Sequence, residues 1–96
     1  MKWGLSPEAF ADLQEIWAYI AKDNPDAADR LRTDIRQGCE RLAKNPRIGQ
    51  PRPKLTSQPV RFWLVRGNYW IIYEVGGDTL RVIRILHAAR DVGMEL

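Results

Sequence analysis

The sequence contains very few of the residues with which small proteins build disulfides and metal sites. Cys39 is the only cysteine among 96 residues, which excludes an internal disulfide and a cysteine-ligated zinc site. His87 is the only histidine, so a histidine cluster is excluded as well. We therefore expect neither a metal ion nor a cofactor.

Long hydrophobic runs are also missing. No apolar stretch approaches the roughly 20 residues of a membrane-spanning helix. The segment from Met1 to Leu5 runs directly into a helix-start signal and leaves no room for a signal peptide. If 96 residues were divided into two domains, each would be too small to bury a core. We expect one soluble, cytoplasmic domain spanning residues 1–96, without a membrane partner.

Acidic residues are absent from one part of the chain. From Arg41 to Arg66 there are seven basic residues and no acid, whereas the first 29 residues hold two lysines and six acids. The net charge of +3 is therefore unevenly distributed. This segregation favours an acidic partner, either a protein segment or nucleic acid, and does not decide between them.

Two amphipathic helices are predicted in the first half. Ser6-Pro7-Glu8 is a helix-start signal, and Asn24-Pro25 ends the first helix and begins the second, which stops before Asn45-Pro46. A polar loop with four prolines, residues 46–59, follows. Apolar residues recur at helical spacing in both helices: Phe10, Leu13, Ile16, Trp17 and Ile20, then Ala28, Leu31, Ile35, Cys39 and Leu42.

Two β-hairpins are predicted after the loop. Gly67-Asn68 is a two-residue turn signal between the β-prone segments Val60–Arg66 and Tyr69–Val75. A second turn, centred on Gly77-Asp78, leads into a strand from Thr79 to His87. The first hairpin then pairs Arg66 with Tyr69, Leu64 with Ile71, Phe62 with Tyr73 and Arg61 with Glu74. The second pairs Arg81 with Glu74 and Ile83 with Ile72.

These elements predict an α+β fold of β-α-α-β-β-β order. Lys2 to Leu5 supplies the first strand, and the helical hairpin packs on a mostly antiparallel sheet. Because side chains alternate across a sheet, one face should carry eight apolar residues toward the helices: Val60, Phe62, Leu64, Ile71, Tyr73, Val75, Leu80 and Val82.

The opposite face has no helix to cover it. The predicted register gives this face six apolar residues: Trp63, Val65, Trp70, Ile72, Ile83 and Ile85. An open apolar patch of this kind marks a protein interface. The alternative is that the basic loop covers it, although a polar, proline-rich loop makes a poor hydrophobic lid.

Four motifs in the same order resemble ParE toxins of the RelE/ParE superfamily over nearly the whole chain. They are Leu5-Ser6-Pro7-Glu8-Ala9 before Asp12-Leu13, Ile16-Trp17-Ala18-Tyr19-Ile20, Asn45-Pro46-Arg47-Ile48-Gly49 with Pro51-Arg52-Pro53, and Arg84-Ile85-Leu86-His87-Ala88-Ala89-Arg90-Asp91. The resemblance implies a toxin that a ParD-like antitoxin wraps and neutralises in a hetero-oligomer. ParE toxins are associated with DNA gyrase inhibition, whereas RelE relatives cleave messenger RNA on the ribosome.

The candidate residues favour binding over catalysis. A ribonuclease would use Arg61, Arg81 and His87, but the predicted register holds both arginines beside Glu74, so we expect no enzymatic activity. The open face, above all Trp63 and Trp70, is assigned to the antitoxin. The resemblance ties the C-terminal residues Arg84, His87 and Arg90 to toxicity and target binding.

We therefore expect a gyrase-inhibiting toxin, with a ribosome-dependent endoribonuclease as the alternative. A nontoxic relative retained as a binding module is a third reading. Direct nucleic-acid binding ranks below protein binding. Trp63 and Trp70 lie near the basic residues and could stack bases, but they are expected within an aliphatic patch, which better fits a protein helix or strand.

Overall fold

The computed structural model describes residues 1–90 and 92–96, so Asp91, the last residue of the C-terminal motif, lies outside the described residues. The predicted α+β class and the β-α-α-β-β-β order are confirmed, and a short third helix follows. The elements are β1 Lys2–Leu5, α1 Pro7–Ala21, α2 Pro25–Lys44, β2 Arg61–Val65, β3 Tyr69–Gly76, β4 Thr79–His87 and α3 Val92–Glu95.

Side-chain caps fix both long helices. The Ser6 hydroxyl accepts the Ala9 N–H at 3.0 Å and donates to the Ile83 carbonyl at 2.8 Å, which ties the start of α1 to β4. The Asn24 side chain accepts the Ala27 N–H at 3.0 Å at the start of α2. Among the described residues, no helix is long and apolar enough to cross a bilayer.

The two helices meet the sheet differently. All five predicted apolar positions of α2 are buried, as its spacing indicates. In α1, however, Phe10 is 55% exposed, while Ala9 and Asp12 are buried. Leu13, Ile16 and Ile20 pack against the core as predicted. Phe10 departs from the predicted face, and the Asp12 carboxylate, which the apolar spacing does not include, is buried.

The sheet has the order β1-β4-β3-β2, with β1 parallel to β4 and the other neighbours antiparallel. The helical hairpin covers one face. Its core combines helix residues with sheet residues from β2, β3 and β4: Leu31, Ile35, Cys39 and Leu42 with Val65, Ile71, Tyr73, Leu80, Val82 and Ile85.

The predicted register of the first hairpin is wrong by one residue. The loop has three residues, because Arg66 and Gly67 both adopt positive φ, 57° and 75°, and the Asn68 N–H donates to the Val65 carbonyl at 3.2 Å. The observed pairs are Arg61 with Tyr73, Phe62 with Ile72, Trp63 with Ile71, Leu64 with Trp70 and Val65 with Tyr69.

A one-residue shift turns every β2 side chain to the other face of the sheet. Trp63 and Val65 therefore pack against the helix side, and Phe62 packs on the opposite side, the reverse of the prediction. Leu64, expected in the core, is 40% exposed.

The second hairpin is correct near its turn and wrong beyond a bulge. Glu74 pairs with Arg81 as predicted, but the register shifts between Ile72 and Tyr73. Ile72 then pairs with Arg84 and not with Ile83, which is the extra residue of the bulge. Ile85 consequently points into the helix-side core.

The opposite face of the sheet is covered, not open. A second buried cluster joins five residues: Val60, Phe62, Ile72, Leu86 and Val92. The loop begins by pairing with the outer edge of β2, since Gln50 and Phe62 exchange backbone hydrogen bonds of 3.0 and 2.9 Å. The Gln58 side chain also donates to the Leu96 carbonyl at 2.9 Å. Val92 and Leu96 of the C-terminal segment pack on this face together with Val60, and Arg52 of the loop lies over the Trp70 ring. The expectation of an open face is therefore wrong, and the loop is only part of what covers it.

Candidate functional site

The C-terminal end of β4 is anchored to α1 by a buried ion pair. Arg84 donates from Nε to Asp12 Oδ2 at 2.7 Å and from Nη2 to Asp12 Oδ1 at 2.8 Å, a bidentate geometry. Asp12 Oδ2 also accepts the Ile85 N–H at 3.0 Å. The buried carboxylate thus satisfies three donors, which explains why α1 turns Asp12 toward the sheet.

The same ion pair extends to the C-terminus. Arg84 Nη1 donates to the Glu95 carbonyl at 2.8 Å, and the Glu95 carboxylate lies 3.5 Å from both Arg84 Nη2 and Arg90 Nη1. The hydrogen bond to Asp12 is the main reason that the pKa of Arg84 is raised. With its side chain only 20% exposed, Arg84 joins α1, β4 and α3 and has little surface to offer an outside target.

His87 lies at the end of β4 in a fixed orientation. Its Nδ1 accepts the Ala89 N–H at 3.1 Å, which assigns the proton of the neutral imidazole to Nε2. The ring packs edge-on against Tyr69, with centroids 5.2 Å apart. His87 is thus a hydrogen-bonded residue on an exposed corner.

A groove of about 590 Å³ separates this corner from α1. We call it the α1–β4 groove. Its residues are Asp12, Glu15, Ile16, Ala18, Tyr19 and Lys22 from α1, with Tyr69, Ile85, Leu86, His87 and Arg90 opposite. The floor is apolar and the rim carries both signs of charge, a combination suited to a protruding side chain of a protein partner.

Two predicted target residues meet at this groove. His87 and Arg90 line it, and the Arg90 side chain is 59% exposed, whereas Arg84 is held in the anchor behind it. Sequence reasoning missed the α1 side, where Tyr19 is 76% exposed. The signal was available, since an aromatic residue outside the buried face of an amphipathic helix often marks a contact surface.

The six residues assigned to the antitoxin do not form one surface. Val65, Ile72 and Ile85 are buried, and Trp63, Trp70 and Ile83 are half-buried. They also divide between the two core clusters: Trp63, Val65 and Ile85 belong to the helix side, and Trp70, Ile72 and Ile83 to the opposite side. The one-residue shift in β2 and the bulge in β4 cause this division, so the expectation of an open apolar face is wrong.

The three residues of the ribonuclease alternative do not converge either. Arg61 Nη1 donates to the Gly49 carbonyl at 2.7 Å, not to Glu74 as expected. Arg81 Nη1 lies 3.9 Å from Glu74 Oε1, so these two residues pair as predicted. His87 is six residues further along β4, roughly 20 Å away at about 3.3 Å per residue.

Tyr73, a further candidate for acid–base chemistry, is held in the core. Its hydroxyl donates to the Pro46 carbonyl at 2.6 Å and accepts the Gly49 N–H at 3.0 Å. Burial raises its pKa. The side chain therefore fixes the loop and is not presented to a substrate.

Comparison with solved structures agrees with the fold. A chain from a structure titled "Chromosomal ParDE TA system from P. aeruginosa" superposes with a TM-score of 0.74 at 24% identity, covering 91% of this chain and 95% of that one. The helical hairpin on a four-stranded sheet is thus the α+β fold expected of RelE/ParE-like toxins.

The sequence comparisons identify the family. Residues 4–92 match the family model "ParE toxin of type II toxin-antitoxin system, parDE". Toxin ParE1 of Mycobacterium tuberculosis is 34% identical over 94 residues, which are 96% of this chain and 94% of that protein. Toxin RelE2 of Caulobacter vibrioides is 34% identical over 82 residues, 85% and 89% of the two chains. The chain belongs to the ParE toxin family of type II toxin–antitoxin systems, which confirms the resemblance seen in the sequence.

Proposed function

We propose that this protein is a cytoplasmic toxin that inhibits DNA gyrase and is neutralised by a ParD-like antitoxin in a heteromeric complex. Membership of the ParE toxin family supports the toxin role. The likeness of this fold to a chain of the ParDE toxin–antitoxin system of P. aeruginosa supports an antitoxin of ParD type. The gyrase target rests on the association of ParE toxins with that enzyme.

The α1–β4 groove is the surface through which the toxin binds its target. Among the described residues it joins the two accessible members of the predicted toxicity set, His87 and Arg90, with the exposed aromatic ring of Tyr19. This juxtaposition carries the proposal, because exposed aromatic and arginine side chains around an apolar floor are typical of binding hot spots. An antitoxin that covers the groove then neutralises the toxin by excluding the target.

The proposed action is binding and not RNA cleavage. Arg61, Arg81 and His87 each serve a separate local structure, and a ribonuclease needs a base, an acid and phosphate-binding cations around one scissile bond.

Arg90→Ala tests the groove directly. Arg90 is exposed and its contact with Glu95 is 3.5 Å long, so its removal should lower toxicity at least tenfold while the melting temperature changes little. Affinity for the antitoxin should change less than threefold, because the antitoxin interface is expected to extend well beyond one side chain. Arg30→Ala, on an exposed face of α2, is the matched control.

Growth inhibition on induced expression, antitoxin affinity and thermal melting are measured together for both variants. A fully toxic Arg90→Ala variant would remove the groove from the target surface. A loss of antitoxin affinity as large as the loss of toxicity would contradict the separate role of Arg90 in target binding.

A further inference from the structure

The residues around the β2 edge form a second charged surface, separate from the α1–β4 groove. We call it the basic edge: Arg41, Lys44, Arg47, Arg52, Lys54 and Arg61. Three elements contribute, since the first two lie in the last turn of α2, the next three in the loop and the last on β2. Within the part of the chain that the structure describes, none of the six forms an ion pair.

Hydrogen bonds hold the loop to β2. Arg61 Nη1 donates to the Gly49 carbonyl at 2.7 Å, and Gln50 exchanges two backbone hydrogen bonds with Phe62. The loop is thereby fixed along the outer side of β2. Arg47, whose carbonyl lies 3.5 Å from Arg61 Nη1, is therefore held beside β2.

Two of the guanidinium groups are pre-positioned on aromatic rings. Arg41 lies over Trp63 at 5.6 Å from the ring centroid, and Arg52 lies over Trp70 at 5.2 Å. The two tryptophans belong to opposite faces of the sheet, so the positive charge wraps around the edge from one face to the other. A stacked guanidinium keeps its N–H edge available for phosphate oxygens and loses less entropy on binding.

We propose that the basic edge binds the phosphate backbone of duplex DNA. Six cations without ion-pair partners, on one edge of the sheet, suit a regular array of phosphates. Binding such an array requires accessible positive side chains but no pocket. An acidic peptide that adds a strand to β2 is disfavoured, because the Phe62 N–H and carbonyl at this edge are already bonded to Gln50. Neither the α1–β4 groove nor the second cavity, about 400 Å³ between β1 and α2, is lined by any of the six residues.

This inference reverses the ranking drawn from the sequence. Nucleic acid ranked below protein because Trp63 and Trp70 were expected within an open aliphatic face. That face is covered, and both tryptophans instead support arginines of the basic edge. The inference goes beyond the proposed toxin function, because binding of DNA by the isolated protein requires neither gyrase nor antitoxin.

The test is fluorescence anisotropy of a labelled duplex of arbitrary sequence, about 20 base pairs long, titrated with the full chain between 50 and 200 mM salt. Four phosphate contacts give a slope of log K against log salt near −3.6, hence a loss of roughly 100-fold across this range. The double variant Arg47→Gln/Lys54→Gln should lower the affinity at 100 mM salt at least tenfold and reduce the slope by about 2. Both residues are exposed and neither side chain makes a described hydrogen bond, so the melting temperature should not change.

Arg30→Gln/Arg36→Gln is the matched control, because it removes the same charge from exposed positions of α2 away from the basic edge. Its affinity should stay within threefold of the natural protein. Equal losses in the two variants would overturn the proposal, as would a slope of the natural protein shallower than about −1, which corresponds to a single phosphate contact. An unlabelled polyglutamate peptide of equal charge that displaces the duplex at lower concentration would assign the surface to an acidic protein segment instead.

Discussion

The contact between Tyr73 and Gly49 makes the most exacting prediction about how this fold is held together. The buried Tyr73 hydroxyl bonds to both the Pro46 carbonyl and the Gly49 N–H, and thereby joins β3 to the start of the loop. A Cβ at Gly49 would lie 2.3 Å from the hydroxyl oxygen and 2.6 Å from Cε1. The site therefore requires a tyrosine on one side and a glycine on the other.

The expected magnitudes follow from these contacts. Tyr73→Phe leaves two buried backbone groups without their partner, which should lower the free energy of unfolding by about 2 kcal/mol. Gly49→Ala forces a methyl group against a ring that cannot move, at a cost of about 3 kcal/mol. The double variant should cost about 1 kcal/mol less than the sum, because the closest clashing atom is gone. For a domain of this size, 2 kcal/mol corresponds to a melting temperature roughly 8–16 °C lower.

Urea unfolding followed by tryptophan fluorescence measures all three variants. Tyr19→Phe is the matched control, since Tyr19 is 76% exposed and its hydroxyl makes no hydrogen bond within the described residues. It should change the free energy of unfolding by less than about 0.5 kcal/mol. A Tyr73→Phe variant as stable as Tyr19→Phe would refute the reasoning, because the loop would then be held by other contacts.

Two further predictions concern the interior. Asp12→Ala should destabilise the protein by about 3 kcal/mol, because two Arg84 N–H groups and the Ile85 N–H lose their acceptor while Arg84 keeps its contacts with Glu95. Exposed Asp23→Ala should not destabilise the protein. Thermal melting distinguishes the two variants, and similar melting temperatures would contradict the anchor. Burial raises the pKa of Cys39 from 9.0 to about 12, so the unfolded chain loses this proton first and stability should fall as pH rises above about 9. Cys39→Ala should make that fall shallower in urea titrations between pH 8 and 11, and an unchanged pH dependence would show that the thiol is not the cause.

Local signals in the sequence predict the elements well. Ser6 and Asn24 cap the two helices as their positions indicate, and all five apolar positions predicted for α2 are buried. The pairing of Glu74 with Arg81 follows from the glycine turn beside it. These features depend on short stretches of chain, which is why sequence periodicity and turn chemistry suffice.

The faces of the sheet could not be predicted in the same way. The three-residue turn requires Arg66 at positive φ, a conformation for which an arginine gives no signal, and the neighbouring Gly67-Asn68 suggests a shorter turn. The bulge at Ile83 has no signal in the sequence either, because isoleucine is an ordinary strand residue. Each event displaces a strand by one residue, and together they move Phe62, Trp63, Val65 and Ile85 to the face opposite the one expected.

The candidate site was half predicted for a related reason. His87 and Arg90 could be assigned from the C-terminal motif, but Arg84 belongs to an anchor whose partner, Asp12, is 72 residues away in sequence. No local pattern shows that pairing. The residues of the basic edge are visible in the sequence as a segment rich in basic residues. Their assembly into one surface depends on the contacts of Gln50 and Arg61, which hold the loop against β2.

The most direct test of the proposed function is DNA supercoiling by purified gyrase in the presence of this protein, with messenger RNA on ribosomes assayed in parallel. We expect the natural protein to block supercoiling, the Arg90→Ala variant to block it at least tenfold less well, and an equimolar ParD-like antitoxin to restore it, while ribosome-bound message stays intact. Unchanged supercoiling together with cleavage of that message would contradict the account and establish a ribonuclease instead.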